Sequence, residues 1–564
     1  MRYLITSALP YINGIKHLGN VVGSMLPADA YARFLRARGE EVLYICATDE
    51  HGTPAELAAL AEGLEVSAYC TKMHELQAEL GKKFGFSFDH FGRSSSPQNR
   101  ELTQHFAREL GKNGFTDVRA TKQVYAVEDG RFLPDRYIVG TCPHCGFTGA
   151  RGDQCESCTR LLDPTDLKDP RSAVSGSKQL EVRESNHLYL LQSKMADDLR
   201  AWITSRKDWP LLTTSIALKW LDEGLLDRCI TRSLKWGVPV DQPGLEDKVF
   251  YVWFDAPIEY IGATKEWADA KPGRDWKSWW WDAKDVHYTQ FMAKDNIPFH
   301  TIVFPAMLMG TKEPWKVADM IKGVNWLTYQ GGKFSTSSHR GVFMNDAVEL
   351  LPADYWRYWL LANAPESTDA DFTWELFAGV VNKDLVGVIG NFVNRILKFT
   401  ETKLAPEIPG GGTVGEVETK YFGEVQARLD TLTQNFADLS YRKAVMELRT
   451  LWADANTFIT ERAPWSHVAT DRPRAELAVR LAINLIRVLA IVSEPVIPEA
   501  AGKIMDGLGL TPEERRWPQK PIAEELATLA AGRTFKTPDL LFRRIAPEEV
   551  AAWKARFDGA SAST

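Results

Sequence analysis

ALPYINGIKHLGNVVG, residues 8–23, joins a strand to a helix, and its reading decides the fold. Upstream, RYLITSAL (2–9) is a short apolar run of the kind a buried strand shows. Downstream, SMLPADAYARFLRARG (24–39) has helical periodicity and closes on Gly39. EVLYICATDEHG (41–52) then reads as a strand ending in polar residues, and TPAELAALAEGL (53–64) as a helix. This alternation predicts an α/β fold with a parallel, doubly wound sheet. Ligands of such sheets bind at the carboxyl ends of strands. SALPY (7–11) and TDEHG (48–52) are therefore expected to face one crevice.

Within the join, KHLGN (16–20) opens a helix whose first N–H groups are unpaired and whose dipole favours an anion. Gly19 allows close approach to the backbone, and His17 and Asn20 flank the same turn. The stretch reads equally as a phosphate cradle and as a capped helix with a solvent-facing histidine. A second donor-rich segment is GGKFSTSSHRG (331–341). Its Lys333 suits phosphate charge and Ser335 and Ser337 suit phosphate oxygens. Alone, it reads as a surface linker.

Between about 115 and 230 the β/α rhythm breaks. This stretch holds four of the seven cysteines, in CPHCGFTGARGDQCESC (142–158). The spacing C-x2-C-x9-C-x2-C gives Cys142, Cys145, Cys155 and Cys158 the form of a closed, structural Zn2+ site, with two disulfides or free thiols as the alternative. Nearby His144 is expected to be exposed. Cys46, Cys70 and Cys229 stand alone, as in a reducing compartment. YLITSALPYI is no secretory signal, and LAVRLAINLIRVLAIV (477–492) carries Arg480, Asn484 and Arg487, which is too polar for a bilayer span. A cytoplasmic location without membrane contact is expected. A net charge of -7 excludes a general nucleic-acid coat but leaves room for a local basic face. Beyond about residue 345 the chain reads as helix; Leu477, Leu481, Leu485, Val488 and Val492 share one face, with Arg480 and Arg487 on the other side. APEIPGGGTVGE (405–416) is a loop within this half, and DGASAST (558–564) a frayed polar tail.

HLGN near the start, KFSTS far downstream and a parallel α/β frame between them resemble the HIGH and KMSKS signatures of class I aminoacyl-tRNA synthetases. TSALPYINGIKHLGN, TDEHG, FGR, FLPDRY, CITRSLKWGVPV, KVFYVWFDAPIEYIG and AKDNIPFH are similar to the methionyl-tRNA synthetases in particular. The likeness runs from residue 3 to about 545. Asn20, in place of a second histidine, resembles the branch that includes archaeal and eukaryotic cytosolic members.

The resemblance implies a Rossmann-like sheet interrupted by a zinc-containing connective insertion and followed by an all-α anticodon-binding bundle. Its domains would be a catalytic domain in two halves, 1–114 and 231–325, an insertion, 115–230, and a KMSKS-loop and stem-contact region, 326–380. A helical anticodon-binding domain, 381–545, and a C-terminal tail, 546–564, would follow. It further implies ligation of L-methionine to tRNA(Met) with ATP and Mg2+, by a monomer. His17, Asn20 and Lys333 would be catalytic; Gly19, Asp295, Lys333, Ser335, Thr336 and Ser337 would bind ATP. Ala8, Leu9, Tyr11, Asp49, Trp253, Ala256, Pro257, Tyr260 and His300 would bind methionine, with Asp49 on the α-ammonium. Asn391, Arg395 and Trp465 would read the anticodon.

Three positions depart from the pattern. Thr336 replaces the second lysine of KMSKS, a lost charged contact of about 1.5–3 kcal/mol unless Arg340 or Lys333 substitutes. Asn296 and Phe304 stand where many bacterial members have Ile and Trp, which alters the pocket wall. Rival readings are a different class I synthetase, for whose large editing insertion 115–230 is too short; a small-molecule nucleotidyltransferase, which leaves the helical half unexplained; and a catalytically weakened synthetase-like tRNA-binding protein, for which Thr336 speaks.

Overall fold

The computed structural model describes residues 1–558 except 135, 136, 153, 154, 156, 159, 161, 163, 337 and 338. Five strands, β1 (Arg2–Ser7), β2 (Glu41–Thr48), β3 (His90–Arg93), β4 (Val286–Ala293) and β5 (Met320–Val324), form one parallel sheet in the order β5-β4-β1-β2-β3. β1, β2 and β4 are buried along most of their length, which is why they read as apolar runs rather than alternating ones. The chain winds away from β1 on both sides, so the switch point lies between β1 and β4, and the crevice opens there. The expected meeting of strand ends is present: Ile12 N–H donates to the Asp49 carbonyl (2.9 Å) and Asp49 N–H to that of Pro10 (3.0 Å).

The helix after β1 begins earlier than its periodicity suggests. Leu18–Asn20, a π-helical turn Val21–Met25 and Leu26–Ala37 form a continuous run, ended by Gly39 at φ +84°. A Cβ at Gly23 would lie 3.3 Å from that of Ala293, so glycine lets this turn pack on the end of β4.

The insertion breaks the rhythm because it is antiparallel. Thr116–Ala126 pairs along its whole length with Leu180–Leu190, and a three-stranded sheet of Ala150–Arg151, Ile138–Thr141 and Lys168–Ser172 carries the cysteines.

In the helical half, Arg472–Ser493 buries the expected leucine and valine face. Its other side faces protein too. Arg487 pairs with Glu525 at 2.9 Å, and Arg480 donates to the carbonyls of Pro409, Gly411 and Gly412, pinning the Pro/Gly loop. Trp374–Lys403 is long and apolar enough to cross a membrane by composition, but Phe377, Leu385, Ile389, Phe392 and Ile396 are buried in the shared core. Within that core Arg357 and Asp29, both fully buried, join the helical half to the helix after β1 at 2.6 Å.

The expected tail is corrected by the structure. Pro547–Phe557 is a helix whose Trp553 and Phe557 pack on Trp374, at centroid distances of 5.3 and 5.7 Å. Val550, Trp553 and Phe557 supply the apolar stripe that docks it. Residues 559–564 of the polar DGASAST stretch lie outside the described residues.

Candidate active site

A cavity of about 730 Å³ opens at the carboxyl ends of β1, β2 and β4. Ala8, Leu9, Tyr11, His17, Gly19, Asn20, Asp49, Asp295, Lys333 and Thr336 line it, together with Lys16, Asn296, Trp326 and Phe334. The two loops whose separate readings were ambiguous thus meet on one wall.

His17 caps its helix. Its Nδ1 accepts from Asn20 N–H (3.3 Å), and Asn20 Oδ1 accepts from His17 N–H (3.2 Å). Nδ1 being the acceptor, a neutral ring carries its proton on Nε2. Burial, and then the charge of Lys16, lowers the imidazole pKa to about 4, so the ring is neutral at physiological pH. Gly19 gives the same ring room: a Cβ there would lie 3.0 Å from His17 Cε1 and Nδ1. The imidazole stacks on Phe334, centroids 4.4 Å apart.

The second loop is a tight turn. Ser335 and Arg340 exchange backbone hydrogen bonds of 3.0 and 2.9 Å. Arg340 is spent on the loop, donating to the carbonyls of Lys333 (2.8 Å) and Gln330 (3.2 Å), so it is not a free substitute for the missing lysine. Thr336 turns its methyl to within 3.3 Å of the Cβ position of Gly14. Ser337 lies outside the described residues. Lys333 is exposed, its ammonium 5.8 Å from the centre of the Trp326 ring; Trp326 donates its indole N–H to Asp295 (3.1 Å).

On the β2 side, Asp49 Oδ1 is buried without a hydrogen-bond partner among the described residues. Burial, then Asp255 and Glu50, push its carboxyl pKa well above the usual value. Its neighbours are structural: Glu50 pairs with Arg93 (2.9 Å) and His51 with Asp255 (2.5 Å), tying TDEHG to FGR and to WFDAPIEY. Tyr11 donates to the His51 carbonyl at 2.5 Å.

Tyr260 and His300 are buried, their side chains bonded at 2.8 Å, with His300 Nδ1 donating to the Asn296 carbonyl (2.9 Å). Burial lowers the His300 pKa to about 4, so it stays neutral, Nε2 accepting from the Tyr260 hydroxyl. Phe304 packs on Tyr260, centroids 6.0 Å apart. Pro257 is buried and Ala256 half-buried on the same helix as Tyr260, Val252–Asp269. Like Ala256, Pro257, Tyr260 and His300, Trp253 does not line this cavity. It is 40% exposed on a second crevice of about 610 Å³, with Arg228 over its ring at 4.9 Å.

The thiol sulfurs of Cys142, Cys145, Cys155 and Cys158 lie within 4.8 Å of one another, and His144 is exposed. Far from the cavity in sequence, Arg395 lies over Trp465 at 5.1 Å, and Asn391 is exposed one helical turn before Arg395.

Sequence reasoning missed Lys16, Trp326 and Phe334. Lys16 sits inside the motif that was read, and its position next to His17 was the available signal. Trp326 and Phe334 acquire their places only when the second loop closes on the first.

A family model described as tRNA synthetases class I (M) matches residues 3–397, and one described as the anticodon binding domain of methionyl tRNA ligase matches 408–562. A methionine–tRNA ligase of Caulobacter sp. (strain K31) is 59% identical over 567 residues, 99% of this chain and 100% of that protein. One of Streptomyces avermitilis is 56% identical over 570 residues, 99% of each. Both sources are bacterial. The crystal structure of Mycobacterium tuberculosis methionyl-tRNA synthetase bound by methionyl-adenylate superposes with a TM-score of 0.77 at 23% identity, over 96% of this chain and 100% of that one, a likeness of fold.

Proposed function

The chain belongs to the class I methionyl-tRNA synthetases and ligates methionine to tRNA, and we propose that the cavity at the ends of β1, β2 and β4 is where methionyl-adenylate forms. Asp49 takes the α-ammonium; an unpartnered buried carboxylate oxygen supports that role. The thioether lies against Ala8, Leu9 and Tyr11, with Tyr260 and His300 behind them and Ala256 and Pro257 on the helix that carries Tyr260. A soft sulfur beside aromatic rings suits this wall. Asp295 binds the ribose. The phosphates meet the backbone at Gly19, His17 Nε2–H, Asn20, Lys333, Ser335, Thr336 and Ser337.

The methionine carboxylate attacks the α-phosphorus in line, and pyrophosphate leaves. Such a transfer asks for positioning and charge stabilisation and no covalent enzyme intermediate. Mg2+ bound with ATP would offset phosphate charge. The terminal adenosine of tRNA(Met) then accepts the methionyl group and AMP leaves. Asn391, Arg395 and Trp465 read the anticodon; an exposed ring under a guanidinium supports base stacking there.

One Zn2+ fits the four thiols as a structural ion. Tetrahedral Zn–S bonds of about 2.3 Å separate sulfurs by about 3.8 Å, and Cys142–Cys158 and Cys145–Cys155 are 3.8 and 3.5 Å apart. A cytoplasmic location is consistent with the buried single thiols Cys46 and Cys70, and the chain is proposed to act as a monomer.

The single observation that carries the site assignment is the convergence of Asp49, His17 and Lys333 on one cavity. Pyrophosphate exchange into ATP, with each of the twenty amino acids supplied separately, tests it. Exchange with methionine alone is expected. No exchange from folded, zinc-loaded protein would instead favour the weakened tRNA-binding reading.

A further inference from the structure

The cavity is poor in free positive charge for a site that takes a triphosphate. Lys294 pairs with Asp369 at 2.7 Å, and Arg340 is held by loop carbonyls. Thr336 packs its methyl toward Gly14. Lys333 is exposed above Trp326. Besides Lys333, the other lysine on the lining is Lys16. It lines the cavity, is only 9% exposed, and has no hydrogen bond or ion pair from its ammonium among the described residues.

A buried, unpaired ammonium is unfavourable unless an anion completes it. Lys16 shares the cavity with two groups already assigned, Asp49, where the α-ammonium binds, and its chain neighbour His17, in the phosphate cradle, and its charge acts on both. In a bound methionine and ATP, the atoms between those points are the attacking carboxylate and the α-phosphate. We infer that Lys16 is a further catalytic residue, its ammonium contacting the α-phosphate and supplying the charge that Thr336 does not. The inference rests on the cavity being the adenylate site.

Burial lowers the Lys16 pKa to about 8, against the opposing pull of Asp49. Asp49 and His17 are the titratable groups facing it, and Tyr11, Lys333 and Asp295 line the same cavity. Loss of its proton above pH 8 removes the charge, so kcat/KM for ATP falls there.

The test is methionine-dependent pyrophosphate exchange by Lys16→Met, with methionine binding followed by tryptophan fluorescence and folding by thermal melting. We expect kcat to fall about 100-fold, the loss typical of one charge-stabilising contact. Methionine affinity should change less than about threefold, within what an altered neighbour of the pocket produces. Lys16→Arg should recover much of the rate and lose the alkaline limb, and Thr336→Lys added to Lys16→Met should regain about tenfold, one charged contact. Wild-type-like exchange by Lys16→Met, or loss of exchange and methionine binding together, overturns the inference. Failure of the wild-type protein to exchange overturns the site assignment beneath it.

Discussion

The imidazole of His17 lies flat on the phenyl ring of Phe334, with centroids 4.4 Å apart and planes 6° apart. This stack holds the second loop against the helix start, so that Lys333 stays beside the cavity. Gly341, at φ +108°, follows the loop; a Cβ there would run into the Phe334 ring. An offset ring pair contributes about 0.5–1.5 kcal/mol beyond its buried area. Phe334→Ala should therefore raise the KM for ATP and lower kcat for pyrophosphate exchange, their ratio falling about tenfold or more. Methionine affinity should hold. Unchanged exchange kinetics would show that the loop keeps its place without the stack.

Asp49 trades stability for binding. Its carboxyl pKa is pushed well above the usual range by burial, then by Asp255 and Glu50. A carboxyl raised on folding contributes most below its unfolded pKa, near 3.9, and loses that contribution as pH rises toward its folded value. Above the unfolded pKa the buried carboxyl must either keep its proton or carry an unpaired charge, and both disfavour the native state. Asp49→Asn should melt at a higher temperature at about pH 7.5 while methionine-dependent exchange falls 100-fold or more, an estimate of roughly 3 kcal/mol for a buried charged contact. A lower melting temperature would contradict this account.

What was legible in the sequence was local or followed from a rule of topology. β1 and β2 showed as apolar runs because both faces of a parallel strand are covered, and the meeting of Tyr11 with Asp49 followed from where such strands end. The cysteine cluster was legible because its ligands come in pairs three positions apart. The pairing of Thr116–Ala126 with Leu180–Leu190 was not, since register between distant strands leaves no local mark. Phe334 was hidden for the same reason: its partner is His17. Pro547–Phe557 was missed because its three apolar anchors are spread over a short, charged helix.

Asp29 and Arg357 fasten the sheet's first helix to the helical half. Both are fully buried at 2.6 Å, and Arg357 also donates to the carbonyl of Pro495 (3.0 Å). Burial alone would raise the Asp29 carboxyl, but Arg33, Arg357 and Ser87 bring it down to about 2. Its stabilising contribution, about 2 kcal/mol, is present above pH 3.9 and lost as pH falls toward 2. Arg357→Met takes one of two arginine partners from that carboxylate, Arg33 remaining at 2.9 Å, and should cost about 1.5–3 kcal/mol in urea unfolding at pH 7. A loss below 1 kcal/mol would mean that Arg33 alone suffices.

The four thiols are expected to hold one zinc per chain, measurable by elemental analysis. Cys155 is fully buried in the small core that includes Tyr137, Ile138 and Leu167. Cys155→Ser should lose the metal and increase proteolysis within 115–230, with little change in melting of the helical half. Full metal content in Cys155→Ser would remove it from the ligand set.

The last prediction separates the two ends of the molecule. Trp465 is 40% exposed, its ring under the Arg395 guanidinium at 5.1 Å and edge-on to Phe399 at 6.3 Å. A base stacked on such a ring is held by about 1–3 kcal/mol. Trp465→Ala should therefore lower kcat/KM for tRNA(Met) in aminoacylation by roughly 5- to 150-fold, the same energy expressed as a ratio. Pyrophosphate exchange takes no tRNA and should be untouched, because nothing in the Asp49–Lys333 cavity depends on this face. Equal losses in both assays would mean that Trp465 supports the fold of the helical half, and a melting curve would then shift with them. Loss confined to aminoacylation, larger for tRNA(Met) than for a transcript with a changed anticodon, is the expected result.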